Sequence, residues 1–169
     1  MTNKQPLDDT ASFEIGPPEV GDGRELWRIA RDSGKLDLNS PYTYLLWCRD
    51  FASCSVVARS GGVVAGFITG YRRPDAMDTF VVWQVAVDAS HRGRGLASRM
   101  LEHLTDRMLP AGARFLEATV TPDNEASAKL FTAFARGRGA HLDRHELFAA
   151  DLFPEEHEPE ILFRIGPIA

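Results

Sequence analysis

Cysteine is scarce in this chain: Cys48 and Cys54 are the only two in 169 residues, and neither belongs to a CxxC pair or faces a His pair at metal-ligand spacing. A disulfide framework and a zinc module are excluded, no metal site is expected, and reduced thiols in a cytoplasmic protein are the expectation. Basic charge is also short, with 19 Lys and Arg against 24 Asp and Glu and a net charge of −5. No wholly basic surface is available to hold a nucleic acid by counterion release, so no nucleic-acid partner is expected. The longest apolar runs fall well below the ~20 residues a bilayer span needs, so no membrane association is expected. No hydrophobic run follows Lys4, so no secretory signal is expected. Low-complexity tracts, internal repeats and the GxxxxGK[ST] phosphate loop are missing as well.

What the chain does have is core-forming material: 44% of its residues are hydrophobic and 25% charged. Residues 1–10 are polar and expected to be flexible, and 11–169 to form a single domain. Ser12 to Ile15 reads as a first strand, closed by Gly16-Pro17-Pro18. Asp22 to Ser33 has the apolar spacing of a short helix ending near Gly34, and Ser40-Pro41 opens another that runs to about Phe51. Cys54–Arg59, Val63–Tyr71 and Thr79–Asp88 are β-branched runs joined by short loops, an antiparallel meander. The pattern then changes. Leu96–Leu109 is an amphipathic helix, Arg114–Val120 a strand, Asn124–Arg136 a helix and Glu160–Ile165 a last strand. Strand–helix alternation in this half predicts parallel pairing through crossovers, and with the meander a mixed, mostly antiparallel α/β sheet flanked by helices.

The chemistry concentrates at Val85-Ala86-Val87-Asp88-Ala89-Ser90-His91-Arg92-Gly93-Arg94-Gly95-Leu96-Ala97, where a strand ends, a Gly- and Arg-rich turn follows, and a helix begins at once. First-turn helical amides lack internal partners and sit at the positive end of the helix dipole. Gly93 and Gly95 let the backbone approach a ligand, and Arg92 and Arg94 add charge, features that together suit a pyrophosphate. Ser98 stands where a dinucleotide-binding GxGxxG needs its third glycine, which argues against that fold.

The run Arg92-Gly93-Arg94-Gly95-Leu96-Ala97 resembles the [Q/R]xxGx[G/A] acyl-CoA signature of the GNAT N-acetyltransferases. Asn124-Glu125-Ala126-Ser127-Ala128-Lys129-Leu130-Phe131 resembles their second, Asn-led signature, and the likeness covers about residues 12–166. It implies acetyl-CoA as co-substrate, bound where two strands splay apart. Backbone groups of Val85, Ala86 and Val87 would meet the pantetheine arm, and the amides from Arg92 to Ala97 the pyrophosphate. Asn124 and Phe131 would flank CoA from the second helix. Four further blocks, Leu36–Tyr44, Phe80–Asp88, Leu116–Pro122 and His157–Ile165, are similar to the ectoine-pathway branch of that family. That branch implies acetylation of L-2,4-diaminobutyrate at its 4-amino group, usually in a homodimer.

An alkylammonium of reference pKa ~10.4 must lose a proton before it attacks a thioester. Glu117 is the candidate base, since strand alternation groups it with Phe115 and Thr119, and a carboxylate on an apolar strand is costly unless exposed or paired. His157 and Glu158 are rival bases or substrate contacts. The family usually takes its leaving-group acid from a Tyr in the second signature, where this chain has Phe131. Tyr42 or Tyr44 is the candidate replacement, or else the thiolate, of pKa ~8.5, departs without a dedicated acid. The oxyanion donor implied by the resemblance is a backbone amide near Val85. Asp37 is a candidate partner for a substrate ammonium, Trp83 a core aromatic or a substrate wall, Thr119 a further contact, and Arg72 or Arg73 a partner for the substrate carboxylate. A GNAT acting on another diamine, a polyamine or a protein N-terminus, and an acyl-CoA sensor without catalysis, are the alternatives.

Overall fold

The computed structural model describes residues 12–169, so the flexible stretch expected at 1–10 lies outside the described residues. In chain order the elements are β1 (Glu14–Gly16), α1 (Gly23–Ser33), α2 (Pro41–Asp50), β2 (Val56–Ser60), β3 (Val63–Arg72), β4 (Thr79–Val87), α3 (Leu96–Met108), β5 (Phe115–Val120), α4 (Glu125–Gly137), β6 (Leu142–Phe148) and β7 (Glu160–Ile165). The strands make one seven-stranded sheet in the order β1-β2-β3-β4-β5-β7-β6. Every pairing is antiparallel except β4 with β5, which the α3 crossover makes parallel.

Helices cover both faces. Leu26, Ile29 and Ala30 of α1 and Tyr44 and Cys48 of α2 pack on Val57, Val64, Phe67 and Ala86 of the sheet. On the other side Leu96, Met100, Leu101 and Leu104 of α3 and Phe131, Phe134 and Ala135 of α4 meet Val56, Ile68, Phe80, Leu116 and Phe163. α1 stops at Gly34, whose φ of 62° lets its amide turn back to the Arg31 carbonyl. Truncating a fully buried side chain such as Leu104 removes its transfer energy and leaves a void, costing about 2–5 kcal/mol.

Two expectations are corrected. Leu142–Phe148 is a strand that periodicity did not reveal, because Asp143, Arg144, His145 and Glu146 interrupt any alternation and the strand lies exposed at the sheet edge. Its presence reverses the chain, so the last strand pairs antiparallel with β5 and not parallel to it as the strand–helix alternation predicts.

The feature that positions a site is the divergence of β4 and β5. They pair only from Thr79 with Phe115 to Val82 with Ala118. Beyond that, β4 runs on to Val87 and β5 to Val120 with no bond between them. The ladder of β3 and β4 also slips between Thr69 and Gly70, leaving Trp83 as the extra residue at the mouth of the fork.

Candidate active site

Three clefts run together through this fork. The first, of about 300 Å³, is lined by Leu36, Val85, Ala86, Val87, Arg92, Asn124 and Ser127. A central space of about 150 Å³ shares Leu36, Val85, Asn124 and Ser127 with it and adds Asp37, Trp83, Gln84, Thr119, Phe131, His157 and Glu160. The third, of about 510 Å³, shares Trp83, Thr119 and Glu160 with the centre and adds Tyr71, Arg73, Glu117, Phe148 and Phe153.

The open β4 edge leads to the turn before α3. Gly93 and Gly95 hold positive φ values of 76° and 67°, and a Cβ at either would meet only open space, so this is a bare cradle of backbone. The amides of Gly93 to Ser98 carry no hydrogen bond among the described residues, which leaves them for an anion at the helix N-terminus. Asp88 fixes the start of the turn. Its carboxylate accepts from the Ser90 amide and hydroxyl and from Arg28 of α1 at 2.9 Å. The Ser90 hydroxyl, followed by Arg28, holds the Asp88 carboxyl down to about 2. At the second signature, the Asn124 side chain accepts from the Ser127 amide and caps α4.

The central space and the third cleft are acidic. Glu160 stands where they meet, largely buried, and burial raises its carboxyl above the usual range. His157 stacks on Phe153 with ring centroids 3.9 Å apart and places Nε2 at 3.9 Å from both Asp37 and Glu160. Glu117 is buried, opposite Arg164 in the β5–β7 register, and its carboxylate accepts from Arg164 and, at 3.4 Å, from Arg73. Trp83 is 38% exposed and packs on Trp47 with centroids 4.5 Å apart, so it is a cleft wall and not the core aromatic that strand alternation suggests. Trp47 is anchored in turn by an indole N–H to the Gly70 carbonyl at 3.0 Å.

Not every residue singled out in the sequence comes to the fork. Tyr42 is 67% exposed on α2 and lines none of the three clefts. Tyr44 is fully buried and donates to Gln84 Oε1 at 3.1 Å, while Gln84 Nε2 donates to the Asp37 carbonyl at 2.9 Å. This chain of bonds fixes the Asp37 loop from behind. Glu158 turns to the Asp123 amide and lines none of the clefts. Arg94, Gly95, Leu96 and Ala97 belong to the turn and the first turn of α3, with the Leu96 side chain in the core. Arg73 faces the third cleft, whereas Arg72 donates to the Met77 carbonyl. Cys48 is buried, its thiol pushed up to about 12, and is no nucleophile. Sequence reasoning missed Glu160 as a functional group. Its only signal was a lone carboxylate opening an apolar strand, Glu160-Ile161-Leu162-Phe163.

No helix among the described residues is long and apolar enough to cross a membrane, and none of their His, Cys, Asp and Glu groups clusters to hold a metal. Residues 23–135 match the model of the acetyltransferase (GNAT) family. An L-2,4-diaminobutyric acid acetyltransferase of Streptomyces coelicolor is 58% identical over 162 residues, covering 94% of this chain and 95% of its own length. A protein of the same name from Streptomyces avermitilis is 54% identical over 166 residues, covering 96% and 93%. Among solved structures, the diaminobutyrate acetyltransferase EctA of Paenibacillus lautus, in complex with its substrate L-2,4-diaminobutyric acid and coenzyme A, superposes with a TM-score of 0.89. It is 40% identical, over 93% of this chain and 96% of that one. A strand fork leading to a glycine-rich helix N-terminus, a family model spanning both signatures, and relatives alike over nearly their whole length agree: the chain belongs to the GNAT acetyltransferase family.

Proposed function

We propose that this chain transfers the acetyl group of acetyl-CoA to the 4-amino group of L-2,4-diaminobutyrate, the acetylation step of ectoine biosynthesis, through one N-acetyltransferase domain over residues 11–169. The observation that carries this reading is the continuous cleft through the β4–β5 fork, which joins a bare amide cradle to a pocket rimmed by Asp37, Glu117 and Glu160. A substrate with two ammonium groups and one carboxylate suits that charge. Relatives over 50% identical across nearly the whole chain bear the name of this activity.

When bound, acetyl-CoA supplies the activated thioester. The amides and guanidinium groups of Arg92 to Ala97 hold its pyrophosphate, and the free β4 edge at Val85 to Val87 receives the pantetheine arm as an added strand would. A backbone amide near Val85 donates to the carbonyl oxygen, where negative charge develops. Trp83 and Thr119 wall the substrate, Asp37 and His157 border its ammonium end, and Arg73 meets its carboxylate. Glu160 takes the proton from the 4-amino group, because burial leaves it a stronger base than an ordinary carboxylate and it faces both spaces. Glu117, held between Arg164 and Arg73, orients Arg73. With Phe131 in the place of the usual tyrosine, Tyr42 and Tyr44 away from the clefts, and Tyr71 on the third cleft, which shares no residue with the one that receives the pantetheine arm, the thiolate departs without a phenolic acid.

Leu147, Phe148 and Leu152 are exposed, the first two on the wall of the substrate cleft, which supports a homodimer that covers them. A cytoplasmic place and a part in osmoadaptation follow from the same reading. The test is free-thiol release with diaminobutyrate, ornithine, lysine and spermidine offered separately. Diaminobutyrate should give the highest kcat/KM; equal turnover of all four would remove the substrate assignment.

A further inference from the structure

A fourth cleft, of about 260 Å³, lies at the end of α3 away from its N-terminus and is lined by Pro17, Ser53, Cys54, Arg72, Arg107 and Met108, with Ala111. It shares no residue with the three clefts of the fork. Two of its lining residues are arginines and none is an acid. Arg107 Nη2 donates to the Ser55 carbonyl, but its Nε and Nη1 are buried and have no acceptor among the described residues. Its guanidinium has thus lost water at these atoms without gaining a counter-ion, an arrangement a folded chain rarely tolerates unless something completes it. Arg72 contributes a second positive charge whose hydrogen bond runs to a neutral carbonyl, that of Met77. The other walls differ in kind. Pro17, Met108 and Ala111 present carbon, and Ser53 adds one hydroxyl.

We propose that this cleft is a binding site for a small aliphatic carboxylate, separate from the acetyl-transfer cleft, with the carboxylate supplying the counter-charge to Arg107 and Arg72 and the alkyl chain lying on Pro17, Met108 and Ala111. The charge explains why an anion enters and the apolar walls explain why it carries a hydrocarbon tail. An inorganic anion satisfies only the first requirement.

The probes are sodium acetate, propionate and butyrate, compared with sodium phosphate and chloride at matched ionic strength. Binding to the full chain is followed by calorimetry and by the shift in Tm. The carboxylates should bind saturably at one site per chain, about fourfold tighter for each added methylene. Arg107→Met should abolish the response while leaving kcat for acetyl transfer unchanged. Should Arg107→Met fail to fold, Ala111→Glu, at an exposed turn position, brings a tethered carboxylate to the cleft and should raise Tm while removing the response to butyrate. Two results would overturn the proposal: a butyrate response that survives in either variant, or phosphate and chloride binding as tightly as butyrate.

Discussion

Replacing Glu160 by Gln tests how the substrate amine loses its proton. The change keeps the side-chain volume and an oxygen that can accept from Thr119, and removes only the charge and the basicity. An amine of pKa ~10.4 is neutral in roughly one molecule per thousand at about pH 7.5. A positioned base makes up that deficit, and general bases contribute about 10²–10⁴ in rate. We therefore expect Glu160→Gln to lower kcat/KM about 10²–10³-fold near neutrality. The gap should narrow by roughly tenfold per pH unit toward alkaline pH, as solvent deprotonates the amine instead. The assay is initial-rate thiol release across about pH 6 to 10 at saturating acetyl-CoA. Stability supplies an independent reading. Burial raises the folded-state pKa of Glu160 above its ordinary 4.5. The folded chain therefore binds that proton more tightly than the unfolded chain, and stability falls as pH rises from 4.5 through the raised value. Glu160→Gln should accordingly melt higher than the parent at neutral pH, with the difference closing below 4.5. A rate loss of the same factor at every pH would refute the base assignment and leave Glu160 a positioning group.

Three further substitutions probe the rest of the fork. Gly95→Glu places a carboxylate at a bare position of φ 67° in the amide cradle, and should weaken CoA binding by calorimetry more than about 100-fold while far-UV circular dichroism stays unchanged. Asp88→Asn loosens the turn held by Ser90 and Arg28, so KM for acetyl-CoA should rise about three- to tenfold with kcat little changed. The depressed pKa of Asp88, about 2, gives stability that is fully present above 3.8 and lost as pH falls from 3.8 through about 2, so parent and variant should differ in Tm at neutral pH and converge in acid. Glu117→Gln leaves Arg164 and Arg73 short of their shared counter-ion and should cost up to ~3 kcal/mol of stability by denaturant unfolding. Its activity loss should be independent of pH.

The strands that bury one or both faces were legible as β-branched runs, and α1, α3 and α4 as apolar spacing at helical period, because burial is what imposes period on a sequence. β6 escaped because an exposed edge strand needs no apolar face, and its charges at 143–146 look like a loop. Missing it also hid the true direction of β7. In the site, the amide cradle was legible because glycines and a helix start are local features. The acidic pocket was not, because it joins residues from β5, β7 and two loops, and nothing along the chain says that Glu160 rather than Glu158 turns inward. Trp83 was ambiguous for the same reason. A bulge in the β3–β4 ladder, invisible in the alternation, is what brings it to the mouth of the fork.

The most direct test of the central claim is NMR of the product formed from acetyl-CoA and L-2,4-diaminobutyrate. The account predicts a single monoacetylated product carrying the acetyl group on N4, formed only with the active chain and acetyl-CoA both present. Acetylation at N2, or no product while acetyl-CoA still binds, would contradict it.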